Sequence, residues 1–123
     1  MKENVIVDKT FKFSVSIVKL YQHLTDHRKE FVLSRQLLKC GTSIGANVEE
    51  AVGGLSKKDF IAKLQIAYKE ARETKYWLKL LRATGYVNIP DFDSLDNDLE
   101  EITKILVSIL NSSKNNEKTL SNS

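Results

Sequence analysis

The stretch KCGTSIGANVEEA, residues 39–51, has the apolar spacing of a helix but carries two glycines in its interior. Ile44, Val48 and Ala51 recur at intervals of four and three residues, which places them on one face of a helix. Gly41 falls on the same face, although a glycine inside a helix costs about 0.5–1 kcal/mol relative to alanine. The missing side chain therefore predicts a close approach at Gly41, either by another helix of this chain or by a second subunit.

Three other segments of the chain show the same helical period. The shared apolar faces contain Phe13, Ile17, Leu20 and Leu24 in the first segment, Phe60, Leu64, Ala67, Ala71, Thr74, Leu78 and Leu81 in the third, and Leu95, Leu99, Ile102, Leu106 and Ile109 in the fourth. The first segment is less regular, because Phe11, Val15 and Val18 stand beside its apolar row. Since no alternating strand pattern appears, the sequence predicts an all-α protein, an antiparallel up-and-down four-helix bundle.

Turn and capping signals separate these segments. A glycine pair that starts at Gly53 ends the second segment, and Ser56 with Asp59 three residues later resembles a capping box that opens the third. The last residues of the chain are polar and almost without apolar side chains. We therefore predict a four-helix bundle domain over residues 1–113 and a disordered polar tail over residues 114–123.

Length and composition limit the class of protein. With 123 residues the chain is predicted to be one domain, and its single cysteine excludes an internal disulfide. The start, MKENVIVDKTF, has too short an apolar run for a signal peptide, and no segment reaches the roughly 18–20 apolar residues of a membrane span. A cytoplasmic protein with no membrane partner is the expectation.

Charge is unevenly distributed along the chain, although the net charge is only +3. Residues 56–85 hold eight Lys or Arg against three Asp or Glu, whereas residues 91–113 hold one Lys against six acids. This segregation predicts a basic side and an acidic side, either of which can select a partner.

The third helix is predicted to show three faces, because each residue advances by 100° around the axis. An apolar strip, to one side of the core row, contains Ile66, Glu73, Trp77 and Leu80. A basic strip, to the other side, contains Lys58, Gln65, Lys69, Arg72, Tyr76 and Lys79. The apolar strip is either the edge of a wide core face or a subunit interface anchored by Trp77. The basic strip is either a solvated face or a site where cations bind phosphates and Tyr76 stacks on or hydrogen-bonds to a base.

Residues 36–85 carry three motifs in a specific order and spacing. The matching residues are Gln36, Leu37, Lys39, Ser43, Ile44, Asn47, Glu50 and Ala51, then Ser56, Lys57, Asp59 and Phe60, then Lys63, Leu64, Ile66, Ala67, Glu70, Ala71, Glu73, Thr74, Tyr76, Trp77 and Leu78. Over about half of the chain this pattern closely resembles the bacterial four-helix bundle proteins named after the intervening sequences of 23S ribosomal RNA.

That resemblance implies a compact antiparallel bundle that assembles into a ring-like homopentamer. The accessory protein of diversity-generating retroelements looks like the same fold, and in that relative a basic surface binds nucleic acid and the partner reverse transcriptase. Most members of the family have no assigned biochemical activity. The implied partners are further copies of the chain, RNA or DNA, and a protein such as a reverse transcriptase, although this chain contains no reverse transcriptase motif.

Neither a catalytic nor a metal-binding constellation is evident. His23 and His27 stand four residues apart, near the boundary between the first two helices, but no second paired motif accompanies them and only Cys40 or a nearby acid such as Glu30 could complete a site. Cys40 has no histidine close in sequence and is predicted to pack as a small hydrophobe. We therefore expect no metal site, no cofactor and no enzymatic activity.

Two functional hypotheses follow from these observations. The first is an oligomeric helical bundle that binds RNA or DNA through backbone electrostatics, without strong sequence preference. The alternative is a protein-interaction scaffold that binds no nucleic acid and whose charges only keep it soluble.

Overall fold

A computed structural model describes the backbone of residues 2–122 and the side chains of residues 4–115. The described chain forms four α-helices and no β-strand, which confirms the predicted all-α class. The helices are α1 (Lys2–Asp26), α2 (Leu33–Val52), α3 (Lys57–Ala83) and α4 (Ile89–Asn122). Among the described residues, none of these helices combines the length and the apolarity needed to cross a bilayer.

Each helix packs against its neighbour in sequence, and α4 also packs against α1. The diagonal pairs α1–α3 and α2–α4 make no close backbone contact within the described residues. Short connections join consecutive helices, so neighbouring helices run in opposite directions. The result is a four-sided, up-and-down bundle around one core, with the most extensive packing between α2 and α3 and the least extensive between α1 and α4.

The predicted core rows of α2 and α4 are buried along their whole length. In α3 the buried row starts at Ile61, whereas Phe60, in the first turn of the helix, is only half-buried. In α1 the row starts earlier than predicted, at Ile6 and Thr10, and Leu20 is only half-buried. The predicted four-helix core is thus confirmed, with these shifts at the helix starts.

The close approach predicted at Gly41 comes from α1 of the same chain. A Cβ atom built on Gly41 would lie 2.9 Å from Cγ1 and Cγ2 of Ile17, which is fully buried. One turn along α2, a Cβ atom on Gly45 would lie 3.2 Å from the backbone oxygen of Thr10. Glycine at these positions therefore lets two helix backbones pack more closely than larger side chains would allow.

The connection between α1 and α2 contains a capping device that the sequence reading did not anticipate. The Glu30 carboxylate accepts hydrogen bonds from the backbone N–H groups of Val32, Leu33 and Ser34, at 3.1, 2.8 and 2.7 Å. Burial alone would raise the pKa of Glu30, but these backbone hydrogen bonds outweigh it and hold the pKa below its usual value. Lys29 precedes it with a φ of 54°, in the left-handed region that non-glycine residues rarely adopt.

Helices α3 and α4 begin with N-caps of a more common type. Ser56 accepts a hydrogen bond from the backbone N–H of Asp59 at 3.1 Å, so the predicted cap of α3 is present. Asn88 does the same for the backbone N–H of Asp91 at the start of α4, at 2.8 Å. Helix α4 continues past residue 113. The side chains after Asn115 lie outside the described residues, and the predicted disorder of residues 114–123 stays a prediction.

Candidate nucleic-acid interface

The basic strip lies on the face of α3 that points away from the core. All of its members are exposed: Lys58, Gln65, Lys69, Arg72, Tyr76 and Lys79. The opposite face of the same helix is buried through Leu64, Ala71 and Leu78. At 1.5 Å of rise per residue, the strip extends over about 30 Å along the helix axis.

Four of the cations of α3 lie in the basic strip, while two others form ion pairs with neighbouring helices. The Nζ atom of Lys63 lies 2.8 Å from a carboxylate oxygen of Glu50 on α2. Lys75 pairs with Asp96, at 3.2 Å, and with Glu100, both on α4. No carboxylate of the described residues lies within ion-pair distance of Lys58, Lys69, Arg72 or Lys79. The strip therefore presents cations that no acid of residues 4–115 neutralises by direct contact.

The acidic side predicted for residues 91–113 is partly neutralised within the bundle. Hydrogen bonding to Glu100 is the largest cause of the raised pKa of Lys75, and the same contact lowers the pKa of Glu100. On the other flank of α4, Lys9 of α1 lies 2.8 Å from a carboxylate oxygen of Glu101. These acids serve contacts between helices, so the acidic excess of α4 is less available to a partner than its composition indicates.

Tyr76 and Trp77 link the basic strip to the apolar strip. Their ring centroids lie 5.1 Å apart and their planes meet at 79°, an edge-to-face contact. The Tyr76 side chain is 59% exposed, so a face of its ring is accessible to a ligand. Trp77 is half-buried against the core, and its indole N–H has no hydrogen-bond acceptor among the described residues.

The apolar strip is not simply part of the core. Only Trp77 packs against the core cluster, whereas Ile66 is 41% exposed, Glu73 is exposed and Leu80 is half-buried. The assignment of this strip to a subunit interface stays a prediction.

Helix α1 presents another exposed apolar surface, the α1 patch, formed by Phe11, Val15 and Val18. Their side chains are 65%, 39% and 37% exposed. The sequence showed these residues beside the core row, but helical spacing alone did not indicate that the row of Phe13 and Ile17 would take the core position and leave the patch outside.

Cys40, His23 and His27, the candidate reactive or metal-binding side chains, lie outside both strips. Burial raises the pKa of the Cys40 thiol to about 11, and its sulfur lies 3.6 Å from the backbone oxygen of Leu37, so it is a packed, protonated side chain. The rings of His23 and His27 lie 5.2 Å apart, and Glu30 is engaged in capping α2. Within the described residues no group of three potential ligands could hold a metal ion.

Two comparisons with known proteins agree with this architecture. The family model described as 23S rRNA-intervening sequence protein matches residues 2–108. A crystal structure of a protein of unknown function, from the S23 ribosomal protein family of Bacteroides thetaiotaomicron VPI-5482, is similar with a TM-score of 0.89 and 52% sequence identity. The similarity covers 90% of this chain and 99% of that chain. No curated protein matches this chain.

Proposed function

The chain belongs to the 23S rRNA-intervening sequence protein family, and we propose that it is a non-enzymatic, oligomeric bundle that binds RNA or DNA through the basic strip of α3. The observation that supports this proposal is the division among the cations of α3. Lys63 and Lys75 form ion pairs within the bundle, while the outward cations are exposed along one line and form no ion pair with the described side chains. A line of unpaired cations is the arrangement that tracks a phosphate backbone.

The contacts available to such a strip predict binding with little sequence preference. Phosphates are the same at every nucleotide, and Lys and Arg side chains that bind them release condensed counterions, so affinity falls as salt rises. Most of the strip consists of Lys and Arg, which bind phosphates at any sequence and can also contact guanine edges, and only Gln65 and Tyr76 are uncharged. The single exposed aromatic ring among the cations favours a strand with unpaired bases, on which Tyr76 can stack.

Oligomerisation completes the proposal. The four cations of one strip give only weak binding, and repetition of the strip around a ring of subunits would raise the effective affinity by avidity. A homopentamer is the assembly implied by the family resemblance. The likeness to the accessory protein of diversity-generating retroelements makes a reverse transcriptase a candidate protein partner.

A protein-interaction scaffold is the second candidate function. It is favoured by the exposed apolar side chains of the α1 patch and of the apolar strip, which nucleic acid would leave uncovered.

Fluorescence anisotropy with a labelled single-stranded RNA and a labelled DNA duplex tests the proposal. The variant Lys69→Gln with Lys79→Gln removes two outward cations, and the matched control Lys63→Gln with Lys75→Gln removes two paired cations from the same helix. We expect only the first variant to weaken binding, with a reduction of about 0.7–0.9 in the slope of log affinity against log salt for each lost contact. Addition of Arg72→Gln should extend the loss.

Three outcomes would count against this assignment. Absence of binding by the wild type at low salt would favour the scaffold. Equal weakening in both variants would indicate a response to total charge rather than to the strip. Tyr76→Ala should reduce affinity for the single strand more than for the duplex, and the reverse order would exclude stacking.

A further inference from the structure

A polar cleft lies at the end of the bundle where α3 finishes and α4 begins. It has a volume of about 340 Å³, within the range of ligand-binding clefts. Its walls come from α1, α3, α4 and the two connections at this end of the bundle, and they include His23, Arg28, Arg82, Tyr86 and Asp91. Several elements therefore build the cleft, whereas the basic strip lies on one helix.

Arg28 is held in this cleft by the connection between α3 and α4. Its Nη1 atom donates hydrogen bonds to the backbone oxygens of Gly85 and Tyr86, each at 3.2 Å, and its Cζ atom lies 4.9 Å from the centroid of the Tyr86 ring. These hydrogen bonds use one of the three nitrogens of the guanidinium group, and the other two form no hydrogen bond with the described residues. Arg28 is thus fixed in place while most of its donors are still available to a ligand.

Arg82 supplies a second guanidinium group to the same cleft. Its Cζ atom lies 4.8 Å from the centroid of the Phe92 ring, and the group forms neither a hydrogen bond nor an ion pair with the described residues. Asp91 is the one carboxylate among the described residues that line the cleft, and it lies within ion-pair distance of neither arginine. With two arginines and one acid, the cleft is suited to an anion.

The cleft continues the basic strip. Arg82 follows Lys79, the last cation of the strip, by three residues, which is about 4.5 Å further along the axis of α3. A strand that follows the strip by its phosphates therefore reaches the cleft at the end of this helix. The strip offers single cations in a line, which suits internal phosphodiesters, whereas the cleft gathers two planar guanidinium groups at one place, which suits a phosphate of higher charge.

We infer that the cleft binds the terminal phosphate monoester of a nucleic-acid strand whose internal phosphates lie on the basic strip. This inference rests on the proposed function and specifies its ligand as a strand with a phosphorylated end. A phosphate monoester carries a charge of about −1.5 to −2 at pH 7 and three strong acceptor oxygens, so it can accept hydrogen bonds from both arginines at once. An internal phosphodiester carries a single charge and two such oxygens.

Competition binding with matched RNA strands tests the inference. Unlabelled single strands of one sequence carry a 5′-phosphate, a 3′-phosphate or a hydroxyl group at both ends, and each displaces the same labelled strand. We expect one of the phosphorylated strands to bind the wild type about tenfold more tightly than the hydroxyl strand, as added charge-assisted hydrogen bonds predict. The end that gives this preference also reports the direction of the strand along the strip.

Variants of the cleft connect the preference to its residues. Arg82→Gln should reduce the preference for the phosphorylated end to about twofold or less, because it removes the guanidinium group that has no other polar partner among the described residues. Arg28→Gln should have a similar effect, with thermal melting as the check that the bundle is intact. Arg35→Gln removes an exposed arginine at the same end of the bundle but outside the cleft, and should keep the full preference. Asp91→Asn should increase the preference, because it removes the acid that lines the cleft.

The outcomes separate the inference from the proposal beneath it. If the wild type binds none of the strands at low salt, the proposed function and this inference both fail. If the wild type binds all strands with equal affinity, only the terminal-phosphate inference is overturned. The same holds if Arg82→Gln keeps the preference, or if Arg35→Gln loses as much of it as Arg82→Gln does, since the preference would then reflect total charge.

Discussion

Helix α1 contacts α2 and α4 by different means. Toward α2, the absence of a side chain at Gly41 lets Ile17 approach so closely that even a Cβ atom would lie at 2.9 Å. Toward α4, the Lys9–Glu101 ion pair crosses the surface, and two clefts open between the helices on either side of Ser16. A groove also opens between α1 and α2 beside Phe11. The comparison teaches that the α1–α2 contact depends on close packing at the glycines of α2, whereas the α1–α4 contact includes an ion pair between the two helices.

The largest expected effect is at Gly41. Gly41→Leu should overpack the α1–α2 contact and lower the free energy of unfolding by roughly 1–3 kcal/mol, although leucine is the better helix former. Thermal melting followed by circular dichroism measures this change. Ala62→Leu, which adds a large side chain at an exposed position of α3, should leave the melting temperature close to that of the wild type.

A double-mutant cycle tests the contact between Gly41 and Ile17 directly. The smaller change Gly41→Ala should be less destabilising in an Ile17→Ala background than in the wild type, because that background lacks the two γ carbons that the added methyl group would meet at 2.9 Å. Strict additivity of the two changes would contradict the close contact between Gly41 and Ile17.

The next largest effect is expected at the connection from α1 to α2. Glu30→Gln should lower the free energy of unfolding by roughly 0.5–2 kcal/mol near neutral pH, the range measured for loss of a helix cap. Urea unfolding at a series of pH values measures it. Glu49→Gln, at an exposed acid of α2, is the matched control and should leave stability unchanged.

The pH dependence of this prediction has a definite sign. Because the folded-state pKa of Glu30 is lowered, its carboxylate stabilises the fold above the unfolded-state value of about 4.3, and this contribution is lost as pH falls through the folded pKa. The stability difference between wild type and Glu30→Gln should therefore shrink in acid. A difference that stays constant down to the acid limit would show that Glu30 acts only through its shape.

A smaller effect is expected at Lys29, where a substitution should raise rather than lower stability. Lys29→Gly should raise stability by less than about 1 kcal/mol, because glycine adopts the left-handed backbone of this position without strain but gains freedom in the unfolded chain. The urea midpoint measures the gain. Lys29→Ala, which removes the side chain but keeps Cβ, should show no gain, and a lower midpoint for the glycine variant would contradict the strain.

The smallest effect on stability is expected at the contact between α1 and α4. Lys9→Gln removes the ion pair with Glu101, and its effect on the melting temperature should be smaller than that of Glu30→Gln and should disappear at high salt, since exposed ion pairs are weak and screened. Lys12→Gln removes a pair within α1 that does not reach α4. A loss at Lys9 that persists in high salt would show that the α1–α4 contact is more specific than the open clefts indicate.

The helical period predicted the buried residues correctly in helices that have a single apolar row. The rows of α2 and α4 were correct because each of these helices has a single row with spacing of four and three. In α1 two apolar rows compete, and only the positions of α2 and α4 decide that Phe13 is inside and Phe11 is outside. The cap of α2 was missed because the residue at its N-cap position is Val32, and the capping carboxylate comes from Glu30, two residues earlier.

Exposure at the candidate site was predictable from spacing, but ion pairing was not. The rotation of 100° per residue around the axis of α3 correctly predicted that Lys69 and Lys79 are exposed, away from the core. The pairing of Lys75 with Asp96 joins residues of different helices, and no local pattern reports it. The proposed function depends on which cations of α3 form ion pairs. Only the tertiary structure shows this.

The burial of Cys40 has a consequence for experiments on the protein in solution. It is the single thiol of the chain, it is 2% exposed, and its pKa of about 11 keeps it protonated at neutral pH. Thiol reagents can therefore modify it only after α2 separates locally from its neighbours. The rate of modification would report how often the bundle opens under native conditions, and intermolecular disulfides would form only between opened chains.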